Sequence, residues 1–317
     1  MQPAYSLIIP HFNDPARLER LLRSVPVERE DVEVIVVDDC SPDQGALDAV
    51  RTRWPQVRWL STPENAGAGV ARNVGLDAAR GRWLVFADSD DEFLPEAFAT
   101  FDRVLRTDDE LVYFLAEAVQ EADGSPSVRS ERMNELVKTY AVGRDAASLQ
   151  RLRLQHVVPW AKVYARDFVK AQELRFDPIR GSNDVAFNVL AAVQAQRLRA
   201  EVTPVYRIYR RAGSLTTAST VEDLLARLEV LGFLNDRLRA LGVPHRMHAA
   251  SYVARAVRMG PAALMGTFRL MVRHKMVGAT LRRLSPVEIW SFLRWARRSR
   301  VERQRLDGAK PCKRGRR

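Results

Sequence analysis

Between Arg82 and Glu92 an apolar run stops abruptly at a block of acids, and that combination restricts where the run can lie. Residues 83–87 are long enough for a buried strand and too short for a helix. Asp88, Asp90, Asp91 and Glu92 follow at once. Four carboxylates at one end of a buried strand repel one another, so a positive group is expected among them. Open α/β sheets bind ligands at that edge. Hard carboxylate oxygens suit a divalent cation that carries a phosphorylated ligand. A plainer role stays open, because Asp90 or Asp91 would equally cap a helix beginning near Pro95. Asp-x-Asp alone decides nothing, since a chain this rich in Asp holds about one by chance. Its place directly after a strand gives it weight.

The preceding chain repeats the pattern. Residues 5–10 read as a first strand stopped by Pro10, and Asp14-Pro15 opens a helix with Leu18, Leu21 and Leu22 on one face. Residues 32–37 are a β-branched second strand that also ends in acids, Asp38 and Asp39. A helix around 46–53, a short strand at 57–60 and a helix opening within 65–73 lead to the strand at 83–87. This alternation predicts a doubly wound, mostly parallel α/β sheet. Two strands delivering Asp pairs to one edge make the arrangement of a nucleotide site. A dinucleotide fingerprint at Gly67-Ala68-Gly69 competes, but Arg72 occupies its third glycine position, and two strand–helix units precede it.

Further on, the pattern predicts a helix around 96–105 and a strand over 111–120. A turn at Asp123-Gly124 follows, with a return beginning at Ser127-Val128. A helix is expected over 145–154, and the polar turn 181–184 passes into an apolar helix over 185–193. A strand over 202–209 ends in a basic loop with Arg210, Arg211 and Ser214. From Ser219 the character changes. Ser219 and Glu222 read as a capping box, and Leu224, Leu228, Leu231, Leu234, Leu238 and Leu241 then repeat at helical spacing. Helices over 247–259, 261–275 and 286–306 complete the chain, giving expected domains of 1–218 and 219–317.

Composition narrows the class. Two cysteines far apart, Cys40 and Cys312, suggest no disulfide framework and a reducing, cytoplasmic setting. No apolar run reaches the ~18 residues of a membrane span; the longest, 259–272, is broken by Pro261 and Arg269. The net charge of +11 is uneven: residues 291–317 hold eleven Lys or Arg against Glu302 and Asp307, whereas the first 290 residues hold 39 basic against 37 acidic groups. The near-neutral body argues against a nucleic-acid-binding protein, and no nucleic-acid partner is expected. Trp290, Phe292, Leu293 and Trp295 beside arginines suit a water–lipid boundary, so residues 286–317 are expected to hold the chain at an anionic inner-membrane face. Packing of those aromatics on the rest of the chain is the alternative.

Several segments together resemble the family 2 glycosyltransferases over about residues 5–217. They are Ile8-Ile9-Pro10-His11-Phe12-Asn13, Val36-Val37-Asp38-Asp39-Cys40-Ser41, Asn65-Ala66-Gly67 with Ala71-Arg72-Asn73-Val74-Gly75, and Phe86-Ala87-Asp88-Ser89-Asp90-Asp91. The departures are His11, Cys40 where Gly is commoner, and Ser182-Asn183-Asp184 where Glu-Asp is frequent. The resemblance implies a GT-A fold, Rossmann-like, with a C-terminal helical extension, and a nucleotide-sugar donor. It places Pro10, Phe12, Asp14, Asp38, Asp39, Asn65, Gly67, Arg72, Asp88 and Ser89 at the donor, with Mn²⁺ or Mg²⁺ on Asp88 and Asp90. It makes Asp184 the general base, and capping of the following helix is the alternative. Trp160 and Lys162 fall on the acceptor side, and Arg210 with Ser214 in a loop closing over the diphosphate. The implied activity is inverting transfer of a hexose, most readily from a UDP-sugar, to a glycan or lipid-linked hydroxyl in cell-surface polysaccharide or lipopolysaccharide assembly. A nucleotidyltransferase on a similar sheet is the rival enzyme; it would carry a glycine-rich loop after the first strand, where Pro10 to Asn13 stand instead. His156 shows no ligand spacing.

Overall fold

A computed structural model describes residues 2–211 and 220–283, and the chain divides into two compact units between Arg210 and Arg211. The first unit begins with β1 (Tyr5–His11), α1 (Pro15–Arg23), β2 (Val32–Asp38), α2 (Gln44–Arg53), β3 (Arg58–Ser61) and α3 (Ala68–Ala78). It continues with β4 (Trp83–Phe86), β5 (Glu92–Phe93), α4 (Ala97–Val104), β6 (Leu111–Gln120), α5 (Glu131–Gly143) and α6 (Ala146–Gln155). It ends with β7 (Lys162–Ala165), α7 (Arg166–Ala171), α8 (Val185–Gln194) and β8 (Leu198–Arg210). The eight strands form one sheet in the order β3-β2-β1-β4-β7-β6-β8-β5. Pairings within β3-β2-β1-β4 and between β6 and β8 are parallel, while β7 runs antiparallel to β4 and β6, and β5 to β8. The sheet is therefore mixed and mostly parallel.

Alternation along β1 divides the core. Leu7 and Ile9 pack with Leu18, Leu21, Leu22, Leu47 and Val50 from α1 and α2. Ile8 points the other way, toward α3, where a Cβ on Gly75 would come within 2.4 Å of it. Strands buried on both faces in this way read as unbroken apolar runs.

One expectation fails after β6. The return from Ser127 is only an isolated bridge between Val119 and Pro126, and α5 follows instead. Its Asn134 side chain accepts from the Ala116 N–H at 3.0 Å and donates to the Ala116 carbonyl at 2.7 Å. This amide meets the backbone where the β6–β8 register shifts between Leu115 and Ala116. A helical side chain thereby serves a strand, which periodicity does not reveal.

The second unit contains α9 (Val221–Ala240), α10 (Ala250–Met259), α11 (Pro261–Arg273) and α12 (Val277–Arg283). Its capping box lies one residue later than expected: Thr220 Oγ1 accepts from the Asp223 N–H at 3.1 Å, and Asp223 accepts in return from the Thr220 N–H at 3.2 Å. Leu224, Leu228, Leu231, Leu234 and Leu238 are buried, whereas Leu241 is exposed. α10 starts at Ala250 rather than 247, because Asn235 takes both the N–H and the carbonyl of Met247. No helix among the described residues is long and apolar enough to cross a membrane. Ser214, Ser219 and the helix expected over 286–306 lie outside the described residues.

Candidate active site

β1, β2 and β4 run parallel, with His11 opposite Asp38 and Ile8 opposite Phe86, so their carboxyl ends open on one edge. Arg72 of α3 reaches into that edge. Its guanidinium donates to Asn183 Oδ1 at 2.9 Å and to Asp88 Oδ1 at 2.5 Å, and only 5% of the residue is exposed. A solvated helix arginine is thereby excluded. Gly69, one turn earlier on α3, explains the reach: a Cβ there would lie 2.3 Å from the Asp177 carbonyl and 2.8 Å from Asn183 Cβ. Only glycine lets α3 press against the turn that carries Asn183 and Asp184.

The acid block divides into separate tasks. Asp91 is buried, and its carboxylate accepts from the Tyr209 N–H at 3.0 Å and from the Tyr206 hydroxyl. Burial, with Asp88 and Asp90 nearby, pushes the Asp91 carboxyl well above the usual range. Tyr206 Oη in turn accepts from the Asp88 N–H at 2.9 Å, tying β8 to the turn. Glu92 pairs with Arg207 at 2.6 Å. The Asp90 carbonyl accepts from Arg20. Glu96 is the N-cap of α4 and makes no side-chain cap bond there, so neither Asp90 nor Asp91 is that helix's cap. The expected positive groups are the chain's own Arg72, Arg20 and Arg207. The role of Tyr206 was missed in the sequence, where nothing marks a tyrosine inside a strand as the anchor of a distant turn.

Among the described residues no three His, Cys, Asp or Glu side chains form a metal cage. Asp88, Ser89 and Asp90 are half-buried at the mouth of the edge. Two carboxylates there fit a cation that takes its remaining ligands from phosphate oxygens and water, which is how Mg²⁺-type sites are commonly completed. The donor set fits the group; Asp88 and Asp90 would hold it.

Other expected donor residues have structural duties. Asp38 is 1% exposed and accepts from Ser41 Oγ at 2.5 Å, the Ser41 N–H at 3.2 Å and Gln44 Nε2 at 3.0 Å. Asp39 accepts from Thr62 Oγ1 and from the N–H groups of Ala66 and Gly67, at 2.7 to 3.0 Å. That carboxylate lies at the N-terminus of α3, where a dinucleotide's pyrophosphate would bind, so the competing fingerprint at Gly67 is filled from within. Pro10 is buried inside β1, and Asp14 caps α1 through the Arg17 N–H. Phe12 is 46% exposed, and Asn65 is exposed.

Asp184 stands at the N-cap position of α8 but makes no side-chain cap bond. The expected alternative of a capping role is thus not what its carboxylate does. Its surroundings raise its pKa: burial does so most, Arg72 opposes, and Asp88 adds repulsion. Arg72, Asp88 and Asp184 therefore share one electrostatic neighbourhood, although they come from three elements.

The acceptor-side residues require correction. Trp160 is 4% exposed and stacks on Tyr206, with ring centroids 6.2 Å apart. Lys162 is fully buried, its Nζ donating to the His156 carbonyl at 2.8 Å and to Asn188 Oδ1 at 2.7 Å. Neither offers a face to a sugar. Core packing, with hydrogen bonds from the lysine Nζ, claims both, and burial holds the Lys162 pKa well below its ordinary value. Arg210 ends β8 half-buried.

Seven non-glycine residues among those described have positive φ, and four flank this edge: Asn13 (50°), Cys40 (58°), Ala161 (52°) and Ser182 (62°). Left-handed backbone costs a non-glycine residue about 1–2 kcal/mol, and such strain gathers at functional sites. Cys40 is exposed, so Cys40→Gly loses no packing. The expected result is a gain of about 1 kcal/mol, offset by glycine's entropy, or a rise of about 2–4 °C in Tm by calorimetry. An unchanged or lower Tm contradicts the strain.

Two buried histidines give the unit a pH dependence. Burial, with Lys162 adding to it at His156, holds His156 well below its ordinary pKa, and burial lowers His11 as well. Both protonate more readily unfolded, so the stability they confer is complete above about pH 6.5 and is lost as pH falls below it. Tm should fall between about pH 6.5 and 5, each histidine contributing up to about 1.4 kcal/mol per pH unit. His156→Phe should flatten that slope; an unaltered slope assigns it to other groups.

A mannosyltransferase from Pyrobaculum calidifontis, solved with GDP-Man and Mn²⁺, matches with a TM-score of 0.51 at 14% identity, covering 92% of this chain and 84% of that one. TarS residues 1–349 of S. aureus, solved with UDP-GlcNAc, match with a TM-score of 0.56 at 20% identity, covering 84% and 72%. The fold is that of the GT-A glycosyltransferases. The family model for glycosyl transferase family 2 matches residues 6–169, just over half of the chain, and the chain belongs to that family of transferases. It is 27% identical over 230 residues to the succinoglycan biosynthesis protein ExoO of Rhizobium meliloti, covering 71% of this chain and 66% of that protein. It is 26% identical over 205 residues to the poly(ribitol-phosphate) β-N-acetylglucosaminyltransferase TarS of Staphylococcus aureus, covering 61% and 33%. The chain thus spans just under two thirds, or less, of the first curated relatives it matches.

Proposed function

We propose that this chain transfers a hexose from a UDP-sugar to a hydroxyl of a growing glycan or lipid-linked acceptor, with inversion, in cell-surface polysaccharide or lipopolysaccharide assembly. The observation that carries the reading is the meeting of Arg72, Asp88 and Asp184 at the carboxyl edge of β1, β2 and β4. The UDP-GlcNAc bound by TarS and the GDP-Man with Mn²⁺ bound by the archaeal mannosyltransferase support a nucleotide-sugar donor. In this reading the catalytic domain spans 1–218 and the helical region 219–317, a boundary eight residues beyond the point at which the compact units themselves divide, on the cytoplasmic side of the membrane.

In this reading Asp88 and Asp90 would hold a divalent cation, which would supply Lewis-acid charge toward the departing diphosphate. Arg72 holds Asp88 in place and adds positive charge at the same edge. Asp184 takes the proton of the acceptor hydroxyl as its oxygen attacks the anomeric carbon and the bond to the nucleoside diphosphate breaks. A carboxylate with a raised pKa is a stronger base than an exposed one, and one base with a single displacement gives inversion. Phe12, half-exposed at the end of β1, is available to the nucleoside base. Asp38 braces the loop after β2, and Asp39 the segment before α3.

The test is thermal stabilisation by UDP-, GDP- and dTDP-sugars, each with and without Mn²⁺. A cognate donor at about 100 times its Kd adds about 2.7 kcal/mol. A shift with UDP-sugars that needs the metal supports the reading. A shift with GDP-sugars alone moves the donor class, and no shift with any donor contradicts it.

A further inference from the structure

The second unit presents a surface for which transfer chemistry has no use. α11 is apolar almost all round, with Thr267, Arg269 and Arg273 as its polar residues. Ala263, Thr267 and Met271, four apart, are buried, while Met265 (53%), Phe268 (58%) and Val272 (53%) are exposed. Spacings of three and four put those three on one face, opposite the buried one. The usual arrangement is reversed at the adjacent pair, with the Thr267 hydroxyl inside and the Phe268 ring outside. A helix that is hydrophobic on every side is normally covered on every side.

Charge identifies what covers it. Residues 237–287 contain ten Arg or Lys and no Asp or Glu. Residues 237–317 contain 21 basic groups against three acidic, whereas residues 1–236 contain 29 against 36. The positive charge is therefore concentrated in the part of the chain that carries the apolar stripe. Arg269 lies beside the stripe, its guanidinium 3.7 Å from the Met265 sulfur. A second copy of this chain would bring like charge against like. A nucleic acid would meet the arginines but leave the Phe268 ring in water. A surface that is anionic at its face and apolar just beneath satisfies both features at once. At 13 residues, or about 20 Å, α11 is shorter than the ~30 Å hydrocarbon core, so it lies in the interface and does not span it.

We propose that the Met265, Phe268 and Val272 face of α11, with Arg269 beside it, docks the second unit on an anionic phospholipid bilayer. This face lies on α11, apart in sequence from the basic end at 286–317, which lies outside the described residues, and the proposal does not depend on which sugar, if any, the first unit transfers. The test uses the full chain and its Met265→Ser/Phe268→Ser variant in flotation with vesicles of phosphatidylcholine, with and without phosphatidylglycerol. The wild type is expected to float only with phosphatidylglycerol present, and the variant to bind at least ~10-fold more weakly with an unchanged Tm. Failure of the wild type to float at low salt overturns the proposal. Equal flotation of the variant does so as well, since charge alone would then hold the chain. A change of the variant from dimer to monomer without vesicles would make the stripe an interface between copies.

Discussion

Replacing Asp184 with Asn is expected to lower kcat by about 10² or more while the donor KM changes little. Asparagine keeps the size and polarity of the side chain, and α8 loses no cap bond, because the Asp184 carboxylate makes none. What disappears is the group that accepts the acceptor's proton. The raised pKa sharpens this expectation. Burial and Asp88 lift Asp184 above the ordinary carboxylate range against the pull of Arg72, so the acid limb of kcat/KM should turn at a correspondingly higher pH. Steady-state rates of the purified variant, with CD to confirm folding, decide it. Near-normal turnover, or an acid limb that persists unchanged in the variant, removes Asp184 from the chemistry.

Arg72→Met should be nearly as damaging, for two separable reasons. The guanidinium is buried between Asp88 and Asn183, and methionine leaves both acceptors without their donor. Breaking such a pair from one side costs about 3–5 kcal/mol when both partners are buried. The Asp88 side chain remains 34% exposed, so the lower end, about 3 kcal/mol or roughly 6–12 °C in Tm, is expected. Adding Asp88→Asn to Arg72→Met removes the stranded charge and should recover part of that loss in a double-mutant cycle. Donor binding should not recover, because both groups belong to the diphosphate edge. Additive losses with no recovery would show that the pair is not coupled.

Most of the strand–helix order of the first unit was legible, because buried parallel strands are short β-branched or aromatic runs ended by Pro, Gly or acid. The family motifs were legible as motifs, but their work was not. The Asn73 side chain, for example, donates to the Phe176 carbonyl and accepts from the Phe176 N–H, both at 2.9 Å, across 103 residues of chain. The bonds that Asp38 makes within its own loop, and Asp39 with Thr62, Ala66 and Gly67, were not legible, since an acid at a strand end reads the same whether or not the chain itself supplies its donors. Lys162 misled for a similar reason. A lysine carries a presumption of exposure, and only the fold reveals the His156 carbonyl and the Asn188 side chain that accept from its Nζ. α5 was lost because its weak pattern competes with a genuine turn at Asp123 and Gly124.

Asp88 and Asp90 would hold a divalent cation beside the donor's diphosphate, and calorimetric titration of UDP into the protein tests that role most directly. With Mn²⁺ present the wild type should bind UDP, and chelating the metal should abolish the heat. Asp90→Ala should lose metal-dependent binding while keeping its fold, because the change removes a carboxylate that repels Asp91 along with a ligand. Unchanged UDP affinity in Asp90→Ala, or equal affinity with and without metal in the wild type, would contradict it.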